Sequence, residues 1–484
     1  MRKLEQLQPE KVFRYFEEIA SIPHGSGNTK AISDYLVSFA ETHGLYVEQD
    51  ACNNIIMIQE ATEGYETAEP IIIQGHMDMV CEKEKDCTID FERDGLDLYI
   101  DGDFVKAKGT TLGGDDGIAV AYALALLDSP ELKHPRLEII LTVDEEIGLL
   151  GAQRLDLSCI TGHRMLNIDS DLEDEFLTSC AGGISVNAAI PIHRMKQTGC
   201  KAGIRIHGLL GGHSGSEIDK ERANPAILFG RILDEMMQHF PLAVLTMESG
   251  QKDNAIPREA FAEILFPENK QQKFQTMISE LTETMKKEYS VSDSGIEITY
   301  QLSGAVEEEV LDFSSTNKLI LFLRLLPNGV LHWSRQIPNL VETSSNLGIF
   351  HLKDEAITAT ISIRSSVSSR KQDLCNKVFR IIEMLGGDWE TTGDYPAWEY
   401  KPDSVLREQI TGVYPQVTGK EPKFCAIHAG LECGIFSEKI KDLDCVSFGP
   451  TNYDIHTPKE RLCISSVQKY WQFLVALIEQ GNKI

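Results

Sequence analysis

The sequence predicts an α/β protein with a mostly parallel sheet, interrupted by an inserted α+β domain. Three observations lead there. Short apolar strands alternate with helical stretches through residues 1–184, the same texture returns over 393–484, and the intervening 185–392 is built from longer strand–helix–strand units. Strands separated by helices argue for parallel connections, and 484 residues exceed one ordinary core. We therefore expect 1–184 and 393–484 to form one domain and 185–392 to be looped out of it, with room for two similar subdomains.

The elements follow in order. Val12, Phe13, Phe16 and Ile19 line one face of a helix over 9–20, which reads as structure rather than a signal peptide. A second helix is expected over 28–43. Ile71, Ile72 and Ile73 open a strand buried on both faces, over 70–75. "GIAVAYALALLD" is a helix over 117–128, while "LEIILTV" (137–143) and "MLNID" (165–169) are strands. In the insertion, "CKAGIRIHGLL", "EAFAEILF", "GIEITYQL" and "EAITATISIRSS" are strands, interleaved with helices over 222–239, 270–288, 316–326 and 370–386. "VEEEV" (306–310) reads as a solvated turn or helix start, and "KEKDC" (83–87) as a surface loop. "GGDWETTGDYPAWEY" (387–400) is the expected return crossing. "DSVLREQITGVYPQVTG" then reads as a helix, "DCVSFGP" as a strand and "SSVQKYWQFLVALIEQG" as a closing helix.

Bulk composition excludes several function classes. Lys and Arg number 46 against 74 Asp and Glu, a net charge of −28. Such a surface repels phosphate backbones and anionic lipid, so neither nucleic acid nor membrane is expected as a partner. No run approaches the ~18 apolar residues of a membrane span. The 11 cysteines are scattered without any C-x-x-C, which points to reduced thiols in a cytoplasmic protein.

Four polar clusters sit at the ends of apolar strands: His76-Met77-Asp78, "TLGGDDG" with Asp115 and Asp116, "TVDEEIG" with Glu145 and Glu146, and "NIDSD" with Asp169. Singly, each has an ordinary reading as a strand end, a helix N-cap or a solvated charge run. Together they would crowd negative charge at the carboxyl edge of one sheet, and no Lys or Arg lies inside the motifs. Divalent cations remove that difficulty. Imidazole and carboxylate without thiolate suit catalytic zinc, cobalt or manganese. A second histidine is wanted; His134 and His163 lack context, whereas His456 follows a strand in "SFGPTNYDIHTPKE". Its return to the site explains why the two chain ends belong to one domain.

"GHMDMV", "TLGGDDG", "DEEIG", "NIDSD" and "YDIHTPKE", in this order, resemble the co-catalytic di-zinc metallopeptidase family that includes carboxypeptidase G2-like enzymes, peptidase T and peptidase V. The resemblance covers essentially the whole chain and is closest to the bacterial Xaa-His (aminoacyl-histidine) dipeptidase branch. It implies two Zn²⁺ per chain, one on His76, Asp115 and Asp169 and the other on Asp115, Glu146 and His456, with Co²⁺ or Mn²⁺ as substitutes. Asp78 would fix the His76 tautomer and Glu145 would be the general base. The bridging motif departs from the familiar D-x-K-G-G, and Asp169 stands where related carboxypeptidases tend to have glutamate.

In the insertion, the resemblance makes His213 ("GLLGGHSGSEI") and Asn254 ("KDNAIPRE") oxyanion donors and Arg364 ("ISIRSS") a clamp on the substrate carboxylate. Gly430 ("IHAGLECG"), expected in the catalytic domain, joins this group, and His428 beside it faces either substrate or core. "HGSG" near the start resembles no nucleophile elbow. The implied activity is hydrolysis of unblocked dipeptides, preferentially Xaa-His, by a metal-bridging hydroxide, with the insertion as a lid and a homodimer through it left open. A broader dipeptidase or tripeptidase, a deacylase of N-acyl amino acids, and a non-catalytic binding protein are the rival readings.

Overall fold

A computed structural model describes residues 2–480 and divides into two compact units. The first comprises Met1–Cys180, Tyr400–Ala426 and Leu431–Ile484; the second comprises Ala181–Glu399 and Ile427–Gly430.

The first unit is organised on an eight-stranded sheet in the order Tyr46–Gln49, Ile55–Gln59, Leu137–Thr142, Ile71–His76, Arg164–Asn167, Asp444–Ser447, Glu175–Cys180, Lys423–Ile427. The four central strands, Leu137–Thr142 through Asp444–Ser447, run parallel. The flanks are antiparallel where Ile55–Gln59 meets Leu137–Thr142 and where Glu175–Cys180 meets Asp444–Ser447. The apolar runs explain the centre: Ile71–His76 and Leu137–Thr142 are buried at every residue, as expected of strands covered on both faces. The helix Gly114–Leu127 is apolar all round, and every residue from Gly117 to Leu127 is buried. Tyr122 at its middle donates its hydroxyl to the Val467 carbonyl of the closing helix Ile464–Glu479, at 2.9 Å. A small four-stranded sheet pairs Leu98–Asp101, Phe104–Ala107, Arg461–Cys463 and Asn452–Tyr453.

The second unit is one antiparallel sheet packed with the helices Pro225–Met237, Gln271–Glu288, Phe313–Leu325 and Ser368–Met384. A four-stranded half and a five-stranded half, the latter with Gly329–Trp333 beside Val341–Leu352, meet through the pairs Glu248↔His351 and Ser249↔Phe350, so the repeated units of the sequence merge into a single sheet with a shared core. "VEEEV" is not a turn or helix start. It completes the strand Glu297–Leu311, whose Glu307, Glu308 and Glu309 lie opposite Thr198, Gln197 and Lys196. Lys201 reaches Glu308 at 3.2 Å and relieves part of the charge. "GGDWETTGDYPAWEY" contributes an edge strand, Asp388–Tyr395, before the chain passes to the first unit at Tyr400.

Candidate functional site

The carboxyl ends of the parallel strands bring the acidic clusters together in the first unit. His76 ends its strand, and its Nε2 lies 3.1 Å from Asp115 Oδ1 and 3.7 Å from Asp169 Oδ1. Asp169 follows the strand Arg164–Asn167, whose ladder runs one residue further through Ile168 N to the Gln74 carbonyl. His456 approaches from the loop between Asn452–Tyr453 and Arg461–Cys463, with a left-handed backbone (φ 61°). Its Nε2 lies 3.2 Å from Asp115 Oδ2 and 2.9 Å from Glu146 Oε1. One carboxylate, Asp115, therefore stands between two imidazoles with an oxygen toward each.

Local sequence sets this posture. Asp115 and Asp116 depart from helical dihedrals at the start of the helix Gly114–Leu127. The Asp116 carboxylate turns back to accept from the His76 backbone N–H at 3.3 Å. Gly75 makes that approach possible, because a Cβ there would collide with Ala119 and with Asp116 Oδ2. The loop is clamped by Glu460, four residues after His456. Its Oε2 accepts from Leu112 N (2.7 Å) and Gly113 N (3.1 Å), and its Oε1 from Gly114 N (2.8 Å), Asp115 N (3.4 Å) and Asn452 Nδ2 (3.0 Å). Burial pushes this carboxyl up in pKa, against those donors, all of which favour the charged form. Because both oxygens are fully supplied with N–H, we read Glu460 as a carboxylate.

Asp78 acts somewhat differently from the tautomer-fixing carboxylate expected. The nearest acceptor for His76 Nδ1 is the Asp78 backbone carbonyl at 2.9 Å, with the side-chain Oδ1 at 3.5 Å. The turn that follows the strand brings the carbonyl inward. The carboxylate instead accepts from Ser26 Oγ at 2.7 Å and from Glu145 N at 3.2 Å, tying the general-base candidate to the histidine turn. "HGSG" thus contributes a brace. Glu145 follows Asp144, which is also left-handed (φ 56°), and its carboxylate falls within 4.8 Å of ligand atoms of His76 and Glu146.

Left to themselves these groups share protons. Burial works against a His76 imidazolium, but the carboxylates of Asp115, Asp169 and Asp78 outweigh it and lift its pKa. Asp115 and Glu146 raise His456 to about 10. Burial raises Asp169 to about 6, and burial likewise lifts Asp116 and Glu145. Asp115 is pushed up by burial but brought down overall by His456 and His76. Imidazoles held charged by carboxylates, with no Lys or Arg ion-paired to His76, Asp115, Glu146, Asp169 or His456 among the described residues, are a donor set that fits divalent cations. His76/Asp116/Asp169, His76/Glu145/Glu146 and Asp115/Glu146/His456 each gather ligand atoms within 4.8 Å. Asp116 thus competes with Asp115 on the His76 side, but its carboxylate is engaged with the His76 backbone while Asp115 faces both rings.

The second unit gathers its own group. His213 pairs with Ala255 in a two-residue ladder, and Ser214 N donates to the Asn254 carbonyl at 2.9 Å, so His213 and Asn254 are neighbours. The His213 Nδ1 accepts from Gly215 N and Ser216 N at 3.2 and 3.1 Å. That assigns the ring proton to Nε2, a donor with no partner among the described residues. Burial, then Arg364, lowers its pKa. Arg364 lies one residue before the end of the strand Ala356–Ser365, is buried, and donates through Nη1 to Tyr395 Oη at 2.8 Å, while its Nε has no partner among the described residues. Gly430 is required by the same tyrosine, whose ring would meet a Cβ there at 2.6 Å. His428 is buried with Nε2 2.7 Å from Ser344 Oγ, and burial followed by Arg364 lowers it to about 3.

Sequence reasoning gave no role to Ser26, Asp116, Glu432 or Glu460. Glu460 and Glu432 lay inside "YDIHTPKE" and "IHAGLECG", so a carboxylate at fixed distance from His456 or Gly430 was the available signal. Comparison with known proteins agrees with this architecture. Residues 72–480 match the model of "Peptidase family M20/M25/M40". The chain is 34% identical over 485 residues to the cytosol non-specific dipeptidase of Escherichia coli (strain K12), covering 99% of each. The crystal structure of aminoacylhistidine dipeptidase from Vibrio alginolyticus superposes with a TM-score of 0.92 at 35% identity, over 98% of this chain and 97% of that one. Aminopeptidase PepT from Bacillus cereus shares the fold alone, with a TM-score of 0.58 at 16% identity over 98% and 99% of the two chains. With strand ends, acidic clusters and His456 all inside the matched span, the chain belongs to peptidase family M20/M25/M40.

Proposed function

We propose that this chain is a metal-dependent dipeptidase acting on unblocked dipeptides, with preference for a C-terminal histidine. The observation that carries the reading is Asp115, with one oxygen 3.1 Å from His76 Nε2 and the other 3.2 Å from His456 Nε2. His76, Asp115 and Asp169 would hold one cation, and Asp115, Glu146 and His456 a second. We take these to be two Zn²⁺ per chain, with Co²⁺ or Mn²⁺ able to substitute. When bound, the cations supply Lewis acidity toward the scissile carbonyl and lower the pKa of the attacking water.

The remaining work falls to side chains. Glu145, raised in pKa by burial and held through its backbone by Asp78, takes the proton of the attacking water and delivers it to the leaving amine. His213, with Nε2–H free to donate, and Asn254 would stabilise the oxyanion. Arg364, its Nε unpartnered and Nη1 held by Tyr395, would grip the substrate carboxylate with Gly430 alongside.

The test is release of histidine from alanyl-histidine by the zinc-loaded protein, with N-acetyl-alanyl-histidine and alanyl-alanine as comparators. Cleavage of alanyl-histidine alone, abolished by a chelator, is expected. Equal cleavage of alanyl-alanine would favour the second reading, a broader dipeptidase, which the name of the Escherichia coli relative supports. Cleavage of the acetylated compound only would mean a deacylase.

A homodimer through the inserted unit is part of the proposal. Its sheet ends in the edge strands Glu297–Leu311 and Asp388–Tyr395, and sedimentation reads the state. A cytoplasmic location is also proposed, supported by the same relative's name and by 11 free cysteines. No helix among the described residues is long and apolar enough to cross a membrane.

A further inference from the structure

A row of buried polar side chains crosses the parallel strands one layer beneath the proposed ligands. Gln74 lies two residues before His76 and Asn167 two before Asp169, each therefore on the ligand's own side of its strand. Thr142 is the ladder partner of His76, and Asn167 that of Gln74. Asn167 Nδ2 donates to Gln74 Oε1 at 2.6 Å. Gln74 Nε2 and Thr142 Oγ1 then both donate to one oxygen, Glu432 Oε2, each at 2.6 Å. Glu432 opens the helix Glu432–Lys439 and is 1% exposed.

The other Glu432 oxygen decides the reading. Oε1 is buried and has no hydrogen-bond partner among the described residues. Glu460, by contrast, receives at least two N–H donors on each oxygen. A carboxylate divides its charge between both oxygens, and burying one without a donor is costly. A carboxylic acid takes donors on its carbonyl oxygen and carries its proton on the other, where an unpaired neutral hydroxyl costs less than an unpaired half of a buried anion. The same row holds a buried acceptor without a donor, Asn167 Oδ1.

We infer that Glu432 is held as a neutral carboxylic acid whose carbonyl oxygen ties Gln74 to Thr142, positioning the strand ends that carry His76 and lead to Glu145. Its pKa is raised to about 8, chiefly by burial and also by Asp169 and Asp78, against Thr142 and His76. In the neutral form it braces the site without adding to the charge of Asp78, Asp115, Asp116, Glu145, Glu146 and Asp169. The role toward metal rests on the proposed reading of the site; the protonation state does not.

Two measurements test it. In infrared difference spectra of wild type against E432Q, at neutral pH and with or without Zn²⁺, wild type should show a protonated-carboxyl band that E432Q lacks; carboxylate bands in its place overturn the inference. In chelator-competition titrations with Zn²⁺, E432Q keeps the bonds to Gln74 and Thr142 and should stay close to wild type. E432A should weaken binding about 10–100-fold. Equal weakening in both variants would mean that the charge acts, and unchanged affinity in E432A with only a lower melting temperature would mean plain packing; either overturns it. A wild type that binds no Zn²⁺ sinks the reading of the site and the positioning role with it, while the band still decides the protonation state. Should E432A fail to fold, the band and E432Q still decide.

Discussion

Replacing Glu460 by glutamine is the sharpest perturbation available, because it changes charge and donor count without changing size. In the wild type, four donors lie within 3.1 Å of the carboxylate: Leu112 N, Gly113 N, Gly114 N and Asn452 Nδ2. A glutamine carbonyl can keep two of them. Its amide then faces the other two, donor against donor, in a site that is 3% exposed. Each orphaned buried donor costs about 1–3 kcal/mol, so the 112–115 loop should lose about 2–6 kcal/mol. A single unfolding free energy is ill-defined for a chain of two units, so the readout is local. Amide exchange at Leu112, Gly113 and Gly114 should accelerate by at least about 30-fold, since ~1.4 kcal/mol corresponds to a factor of ten. Because Asp115 continues that loop, zinc affinity should fall about 10–100-fold in the same variant. Wild-type exchange and wild-type zinc affinity in E460Q would refute the clamp.

Three further outcomes are expected. E145Q should lower the rate about 10²–10⁴-fold and leave zinc stoichiometry unchanged; lost metal would instead make Glu145 a ligand. R364A should reduce kcat/KM on alanyl-histidine by about 10–100-fold, the loss of a charge-assisted hydrogen bond, and hardly affect alanyl-histidine amide, which lacks the carboxylate; equal losses on both would remove Arg364 from that role. His428, lowered to about 3 by burial and Arg364, stays neutral in the folded chain while the unfolded chain takes up a proton near pH 6.5. The folded state then binds fewer protons, so this group's contribution is complete above pH 6.5 and is lost as pH falls toward 3, by up to about 1.4 kcal/mol per unit. H428Q should flatten that slope in acid-unfolding curves, and an unchanged slope would show that the histidine is not buried neutral.

Much was determined by the chain alone, for a local reason. Isoleucines in an unbroken run require cover on both faces, so Ile71–Ile73 had to be a central strand, and an all-round apolar stretch such as Gly117–Leu127 had to be a buried helix. The two-residue period of a strand put Gln74 and His76 on one side. What it could not decide is anything that depends on partners distant in sequence. "VEEEV" reads as solvent-loving until Arg194–His207 offers it a ladder and Lys201 a counter-charge. Whether the His76 ring meets the Asp78 side chain or its carbonyl is set by the turn after the strand, not by the spacing. Glu432 and Glu460 are the same residue type in two buried places. One receives donors on a single oxygen and the other on both, and only the folded arrangement of Gln74, Thr142 and the 112–115 backbone makes one an acid and the other an anion.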